Sequence, residues 1–155
     1  MSDVSIIDYR PEHAAVWRRL NEAWLNEGGF VIEAKDRKVL DDPQAAILDG
    51  GGRIFLAERS GQIIGCCALM AMADGGYEVA KMTVTPAARG LGLARRLLEA
   101  CETAARAAGA HRLYLETSST LKPARSLYDS FGFLPLPPTP TPYVRADVWM
   151  EKRLG

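Results

Sequence analysis

The chain has 155 residues, 48% of them hydrophobic and 25% charged, and its 19 basic and 19 acidic residues cancel to a formal net charge of zero. This length and composition predict one globular domain over residues 1–155. Balanced charge gives no general electrostatic footprint for nucleic acid or an anionic membrane surface. No apolar run is long enough to cross a bilayer, and the N-terminus lacks a signal-peptide pattern. We therefore expect a cytoplasmic protein with neither nucleic-acid nor membrane partners.

The three cysteines argue against a disulfide framework or a metal site. Cys66 and Cys67 are neighbours that would face opposite sides of a strand, and Cys101 is the third. An odd number in this arrangement is better explained by buried thiols, and we predict no bound metal.

The N-terminal third predicts one strand and several helices. Val4–Arg10 alternates as a strand does, and Pro11 suits the first turn of a helix that runs to about Asn26. Residues 30–49 predict a helical segment broken at Asp42-Pro43, an N-cap followed by proline. The first helix carries three apolar residues at helical spacing, which is typical of a face packed on the core: Trp17, Leu20 and Trp24. The Trp near the end of the helix could instead line a pocket.

Three strands follow in the middle of the chain. Arg53–Arg59 and Gln62–Met72 are joined by Ser60-Gly61, a credible hairpin turn, and the second is apolar without alternation, as in a strand covered on both faces. Tyr77–Val84 is the next strand. Strict alternation along it places Glu78, Ala80, Met82 and Val84 on one side, and Tyr77, Val79, Lys81 and Thr83 on the other.

The C-terminal half alternates helices and strands. A helix with Gly109 just past its end, a strand at Arg112–Thr117 and a helix at Lys122–Phe131 come in that order. Pro135–Pro142, with five prolines in eight residues, predicts a stiff surface connection. Tyr143–Lys152 is the last predicted strand, so the order β-α-α-β-β-β-α-β-α-β-β indicates a single mixed sheet in the α/β class.

An anion-binding loop is the clearest local signal. Residues 84–98 read V-T-P-A-A-R-G-L-G-L-A-R-R-L-L, so a strand leads through two glycines into a helix whose first N–H groups, near Gly90 to Ala94, are unpaired. A nucleoside-triphosphate loop would need Lys after the second glycine, and a dinucleotide fingerprint would need a small residue where Arg95 stands. A plain strand-to-helix turn is the remaining alternative.

Two motifs resemble the GNAT family of N-acetyltransferases. Arg89-Gly90-Leu91-Gly92-Leu93-Ala94 matches the family signature [Q/R]-x-x-G-x-[G/A], and A-R-S-L-Y-D-S-F-G-F over residues 124–133 is similar to A-x-x-L-Y-x-x-x-G-F. The resemblance covers essentially the whole chain. It implies a single-domain acetyltransferase fold: an α/β (α+β) protein whose mixed, mostly antiparallel sheet of about seven strands has helices on both faces.

The same resemblance implies a set of acetyl-CoA-binding residues. The signature loop and Arg95 would hold the pyrophosphate, the backbone of Met82, Thr83 and Val84 would face the thioester carbonyl, and Tyr128 would lie near the sulfur. Many family members carry Asn seven residues before this tyrosine, where Leu121 stands here. That pantetheine contact is therefore in doubt.

Acyl transfer to an amine needs a neutral amine, a polarised carbonyl and a proton for the departing thiolate. Glu78 is the best general-base candidate, because some family members carry a base on this strand at this spacing. Its alternative is an ordinary ion pair with a neighbouring cation. We predict that Tyr128 is the proton donor. The alternative is that Tyr128 is an ordinary aromatic residue on a helix face. Neither His13 nor His111 is placed for catalysis.

These observations lead us to expect an acetyl-CoA-dependent N-acetyltransferase acting on a primary amine of a small molecule, with homodimer formation left open. Arg145 suits a carboxylate and Glu33 an ammonium group, which would fit an amino-acid-like acceptor; a surface pair between Arg145 and Asp147 is the alternative. A peptide or protein amine and a non-catalytic acyl-CoA sensor remain open. An interaction protein that uses the proline-rich stretch is weaker, because no basic flank accompanies it.

Overall fold

The computed structural model describes residues 3–138 and 145–155 and contains one seven-stranded sheet in the order β1-β2-β3-β4-β5-β7-β6. Neighbouring strands are antiparallel except β4 and β5, which are parallel. This confirms the predicted fold class. The strands are β1 Val4–Asp8, β2 Arg53–Arg59, β3 Gln62–Ala71, β4 Tyr77–Val84, β5 Arg112–Thr117, β6 Leu134–Leu136 and β7 Val148–Arg153.

In the part of the chain that the structure describes, four α-helices cover the two faces of the sheet. A 3₁₀ turn at Pro11–His13 leads into the first helix, and a single helical turn at Gln44–Leu48 follows the second, on the far side of the predicted break. Asp42 accepts a hydrogen bond from the backbone N–H of Ala45 at 3.2 Å, as an N-terminal cap does. The helices are α1 Ala14–Glu27, α2 Ala34–Asp41, α3 Leu93–Ala107 and α4 Lys122–Phe131.

The core has one hydrophobic cluster on each face of the sheet. Trp17 of α1 and Val39 of α2 pack with Cys66, while Leu97 of α3 and Tyr128 of α4 belong to the cluster that holds Cys67. Residues 64–69 of β3 are continuously buried, because helices cover this strand from both sides. All three cysteines are free and buried, as predicted.

The predicted alternation along β4 is wrong beyond residue 80, because the strand contains a β-bulge. Cys66 pairs with Thr83 and Ala68 with Ala80, so Lys81 and Met82 together oppose the single residue between them on β3. Val79, Met82 and Val84 consequently share the α3 face. Glu78 lies on the other face, opposite to Val84 rather than beside it.

The last strand is also shorter than predicted. It begins at Val148, whereas the prediction began it at Tyr143, which lies outside the described residues. Arg145 stands in a turn before the strand. Asp147 accepts hydrogen bonds from the N–H and hydroxyl of Ser119, both at 2.7 Å, and not from Arg145. Pro135, assigned to the stiff connection, belongs to β6.

Within residues 3–138 and 145–155, no helix is both long and apolar enough to cross a membrane. The same residues contain no group of three or more His, Cys, Asp or Glu side chains arranged to hold a metal ion.

Candidate active site

The sheet is split between β4 and β5. In the described ranges these strands pair at only two positions, Tyr77 with Leu113 and Glu78 with Tyr114. A cavity of about 460 Å³ lies where they separate, with β4 residues 78–84 on one side and β5 residues 116 and 117 on the other. Side chains from the helices complete the wall, among them Trp24, Leu121, Leu127 and Tyr128.

The loop before α3 has the geometry expected of an anion-binding loop. Gly90 and Gly92 have φ values of 83° and 77°, and a Cβ added at either glycine would meet nothing within 4 Å. Gly92 is the N-cap and offers no side-chain acceptor. Arg96 is the first residue whose N–H bonds back, to the Gly92 carbonyl at 3.2 Å. The N–H groups of the three preceding helical residues therefore have no acceptor within the helix.

Arg89 lies at the edge of the cavity and ties the end of β4 to α1. Its Nε donates to the Val84 carbonyl at 3.0 Å, and its two terminal nitrogens donate to Glu27 at 2.6 and 2.7 Å. The hydrogen bond from Arg89 lowers the pKa of Glu27. Arg95 donates to Ser130 at 2.6 Å and so connects α3 with α4. The cofactor contacts predicted for Arg89 and Arg95 remain predictions.

Helix α4 presents Tyr128 and Leu121 to the cavity. Tyr128 is 8% exposed, and burial raises the pKa of its phenol, so the group stays protonated near neutral pH. Its ring meets Phe133 edge-on, with centroids 5.8 Å apart. Leu121, the departure from the family pattern, is the N-cap of α4 and supplies an apolar wall where an amide was expected.

Glu78 is the ionisable group on β4 that titrates near neutral pH. Burial, followed by the negative charge of Glu116, raises the pKa of Glu78 to about 7, against the opposing charges of Lys81 and Lys35. Both carboxylates line the cavity. Tyr114 donates to Glu116 at 2.8 Å. A carboxylate with this pKa accepts a proton readily at neutral pH, which is what a general base requires.

A buried charge cluster at one end of the cavity was not foreseen from sequence. Asp36, whose side chain is fully buried, accepts hydrogen bonds from Lys81 and, at 2.8 and 3.0 Å, from Arg145. Burial alone would raise the pKa of Asp36, but the hydrogen bonds from these two cations lower it to about 2. The helical spacing of Asp36 from the buried residues Val39 and Leu40 was the available signal.

The two residues predicted to bind the acceptor belong to this cluster. Arg145 lines the cavity, and Glu33 accepts one of its hydrogen bonds at 3.2 Å. The guanidinium that was expected to receive an acceptor carboxylate therefore binds two carboxylates of the protein. Phe30 lies beneath it, with the ring centroid 6.0 Å from the guanidinium carbon and the ring stacked on Trp24.

The sheet is split, the N-terminus of α3 is open, and one cavity contains both a tyrosine and a glutamate. Together these features define the class of this protein as one with an acetyltransferase fold. The model of the Acetyltransferase (GNAT) family matches residues 9–133. The chain belongs to this family.

Individual relatives agree with the assignment. An 82-residue segment, 52% of this chain and 54% of the relative, is 46% identical to the "IAA acetyltransferase" of Azospirillum brasilense. The match thus spans about half the length of that relative. A GNAT-family acetyltransferase from Staphylococcus aureus Mu50 superposes with a TM-score of 0.89 over 98% of this chain and 99% of its own, at 21% identity. Salmonella typhimurium yncA, solved with its cofactor acetyl-CoA, gives 0.79 over 98% and 94% at 23% identity.

Proposed function

We propose that the protein transfers the acetyl group of acetyl-CoA to a primary amine of a small molecule, by direct attack while both substrates are bound. The observation that carries the proposal is that one cavity contains a carboxylate with a pKa of about 7, a protonated tyrosine and the edge of an open helix N-terminus. A transfer of this kind needs no covalent nucleophile, because the amine itself attacks the thioester carbon.

The acetyl-CoA site in this proposal consists of the anion-binding loop and the separated part of β4. The N–H groups from Gly90 to Ala94, with Arg89 and Arg95 beside them, would hold the pyrophosphate. The open space at Gly90 and Gly92 supports this fit, since a Cβ added at either glycine would meet nothing within 4 Å and a ligand therefore has room beside the loop. The backbone from Met82 to Val84 would face the thioester carbonyl.

Each proton in the reaction is assigned to a group in the cavity. Glu78 accepts the proton that the amine loses as its nitrogen bonds to the acetyl carbon. Backbone N–H groups of β4 stabilise the negative charge that develops on the carbonyl oxygen. The carbon–sulfur bond then breaks, and Tyr128 gives its proton to the departing thiolate. The products are an acetamide and CoA.

The acceptor belongs at the end of the cavity that carries Arg145. We propose an amino-acid-like amine, with Glu33 and Arg145 as its binding residues. Because Arg145 also holds Asp36, an acceptor carboxylate would share the guanidinium rather than occupy it alone. The negative charges of Glu78 and Glu116 would attract the acceptor's ammonium group.

A mass-spectrometric screen of amines incubated with acetyl-CoA tests the proposal. One acetylated product that depends on the protein would establish both reaction and acceptor. Modification only of added peptides would favour a peptide or protein amine. Binding of acetyl-CoA without any product across the screen would contradict catalysis and favour an acyl-CoA sensor.

A further inference from the structure

The bulge of β4 has an unusual backbone conformation. Lys81 has a φ of 54°, in the left-handed region that a residue with a side chain rarely adopts. It lies in the cavity wall, at the point where β4 has already separated from β5. A conformation of this kind persists only when the surrounding structure holds it.

The side chain of Lys81 is buried and ion-paired. Only 6% of this side chain is exposed, and its ammonium group donates to Asp36, whose own side chain is 0% exposed. The Asp36 carboxylate is fixed in turn by the Glu33 N–H at 2.8 Å and by the two nitrogens of Arg145. One carboxylate thus joins α2, the β4 bulge and the turn before β7.

The bulge also determines which groups face the cavity. It returns Met82 and Val84 to the α3 face. It follows the point, at Glu78, where the pairing of β4 with β5 ends in the described residues. The desolvation of a buried ion pair offsets much of its attraction. The main effect of the Lys81–Asp36 pair is therefore geometric.

We propose that Asp36 is a positioning residue which, through Lys81, holds the β4 bulge so that the strand's backbone faces the thioester. This inference rests on the proposed acetyl transfer. It adds a residue on α2 that touches neither reacting group. Its contact with Lys81 is the one that would hold the bulge, whereas its contact with Arg145 belongs to the proposed acceptor site.

The test compares Lys81→Met with the double variant Asp36→Asn/Lys81→Met. Methionine is unbranched and lacks only the terminal, charged atom of the buried chain, and the double variant removes the opposing charge. We expect Lys81→Met to lower kcat at least about tenfold, since small displacements near reacting atoms have large effects on rate. The kcat of the double variant should lie within about threefold of the kcat of Lys81→Met, because the two residues act as one unit. The Kd for CoA should stay unchanged in both.

Asp41→Asn is the matched control, because Asp41 lies on the same helix in an exposed pair with Arg37. It should keep the wild-type kcat. Wild-type kcat in Lys81→Met, a double variant far slower than Lys81→Met, or a fall in CoA affinity in step with kcat would each overturn the positioning role.

Amide hydrogen exchange separates this inference from the proposed function. In Lys81→Met the amides of residues 81–84 should exchange at least about tenfold faster, while those of residues 90–94 are unchanged. If the wild-type protein acetylates no amine, the proposed function fails, but the exchange result still decides whether the pair holds the bulge. Equal exchange rates in the two proteins would overturn the inference.

Discussion

Arg89 donates to both carboxylate oxygens of Glu27, so the cation beside the anion-binding loop is already paired with an anion of α1. Both side chains are largely exposed, at 42% and 47%, and pairs of this kind contribute little to stability. The pair matters for binding, because a bound pyrophosphate and Glu27 would compete for the guanidinium of Arg89.

Glu27→Gln should therefore tighten CoA binding about threefold, because the amide competes less well for Arg89. Isothermal titration at low ionic strength measures this effect. Glu22→Gln, which removes the equivalent charge from the Arg37–Glu22 pair, serves as control and should leave the Kd for CoA unchanged. Weaker CoA binding in Glu27→Gln would show that Glu27 assists the ligand.

Gly92→Asp should weaken CoA binding at least about tenfold, because it places a negative charge in front of the open N–H groups. Gly109→Asp is the matched control. Gly109 has a φ of 78°, against 77° for Gly92, but it lies beyond the other end of α3. Both variants should lose stability through backbone strain, whereas only Gly92→Asp should lose CoA affinity. Equal losses of affinity would argue against the loop.

Tyr128→Phe should lower kcat about 10²-fold and leave CoA affinity nearly intact, since it removes a proton donor and little contact area. Tyr77→Phe removes a hydroxyl from outside the cavity, one that lies 3.5 Å from the Gly51 carbonyl, and should have wild-type kinetics. Steady-state rates with the acceptor found by the screen decide the matter. A Tyr128→Phe enzyme of normal kcat would assign protonation of the thiolate to another group.

The pH dependence of kcat/KM should report Glu78, because this ratio reflects ionisation in the free protein. A general base must be unprotonated, so activity should fall as pH drops through about 7, the pKa to which burial and Glu116 raise this carboxyl. Glu116→Gln removes the negative charge that favours the protonated form, so the acidic limb should move to lower pH. The charges of Lys81 and Lys35 remain and act in the same direction. A limb that is unmoved in Glu116→Gln and present in Glu78→Gln would exclude Glu78.

Arg145→Ala should raise the acceptor's KM at least about tenfold and leave that of acetyl-CoA unaltered, because loss of a charge-assisted pair costs about 1.5–3 kcal/mol. Arg125→Ala is the control, since Arg125 forms an exposed pair with Asp129 within α4. An unchanged acceptor KM in Arg145→Ala would remove Arg145 from the acceptor site.

Local signals in the sequence were sufficient for most of the fold. Capping residues and glycines predicted the bounds of α4 and the end of α3, and the unbroken apolar run predicted the buried middle of β3. The helix and strand features depend on residues close together in the chain, so a periodic pattern is enough to find them. Tyr128 was singled out by the family resemblance instead, and it lines the same cavity as Arg89 and Ala94.

The bulge and the charge cluster could not be predicted from the sequence, because both depend on contacts between segments that are distant in the chain. Strict alternation cannot foresee an extra residue at Lys81, because the insertion is defined only by register with β3. In the sequence, Asp36 resembles an ordinary charged residue on a polar helix. Its partners Lys81 and Arg145 are 45 and 109 positions away and are seen only in the fold. The raised pKa of Glu78 likewise depends on Glu116 of another strand.

The seam between β4 and β5 divides the sheet into units of four and three strands that share only two residue pairs in the described ranges. Helix α3 packs against strands of both units. An extended molecule with amide groups, lying in the seam, would hydrogen-bond to both edges as a removable strand does. The stability of the contact between the two units would then depend on whether a ligand occupies the seam, and each ligand that leaves would weaken that contact.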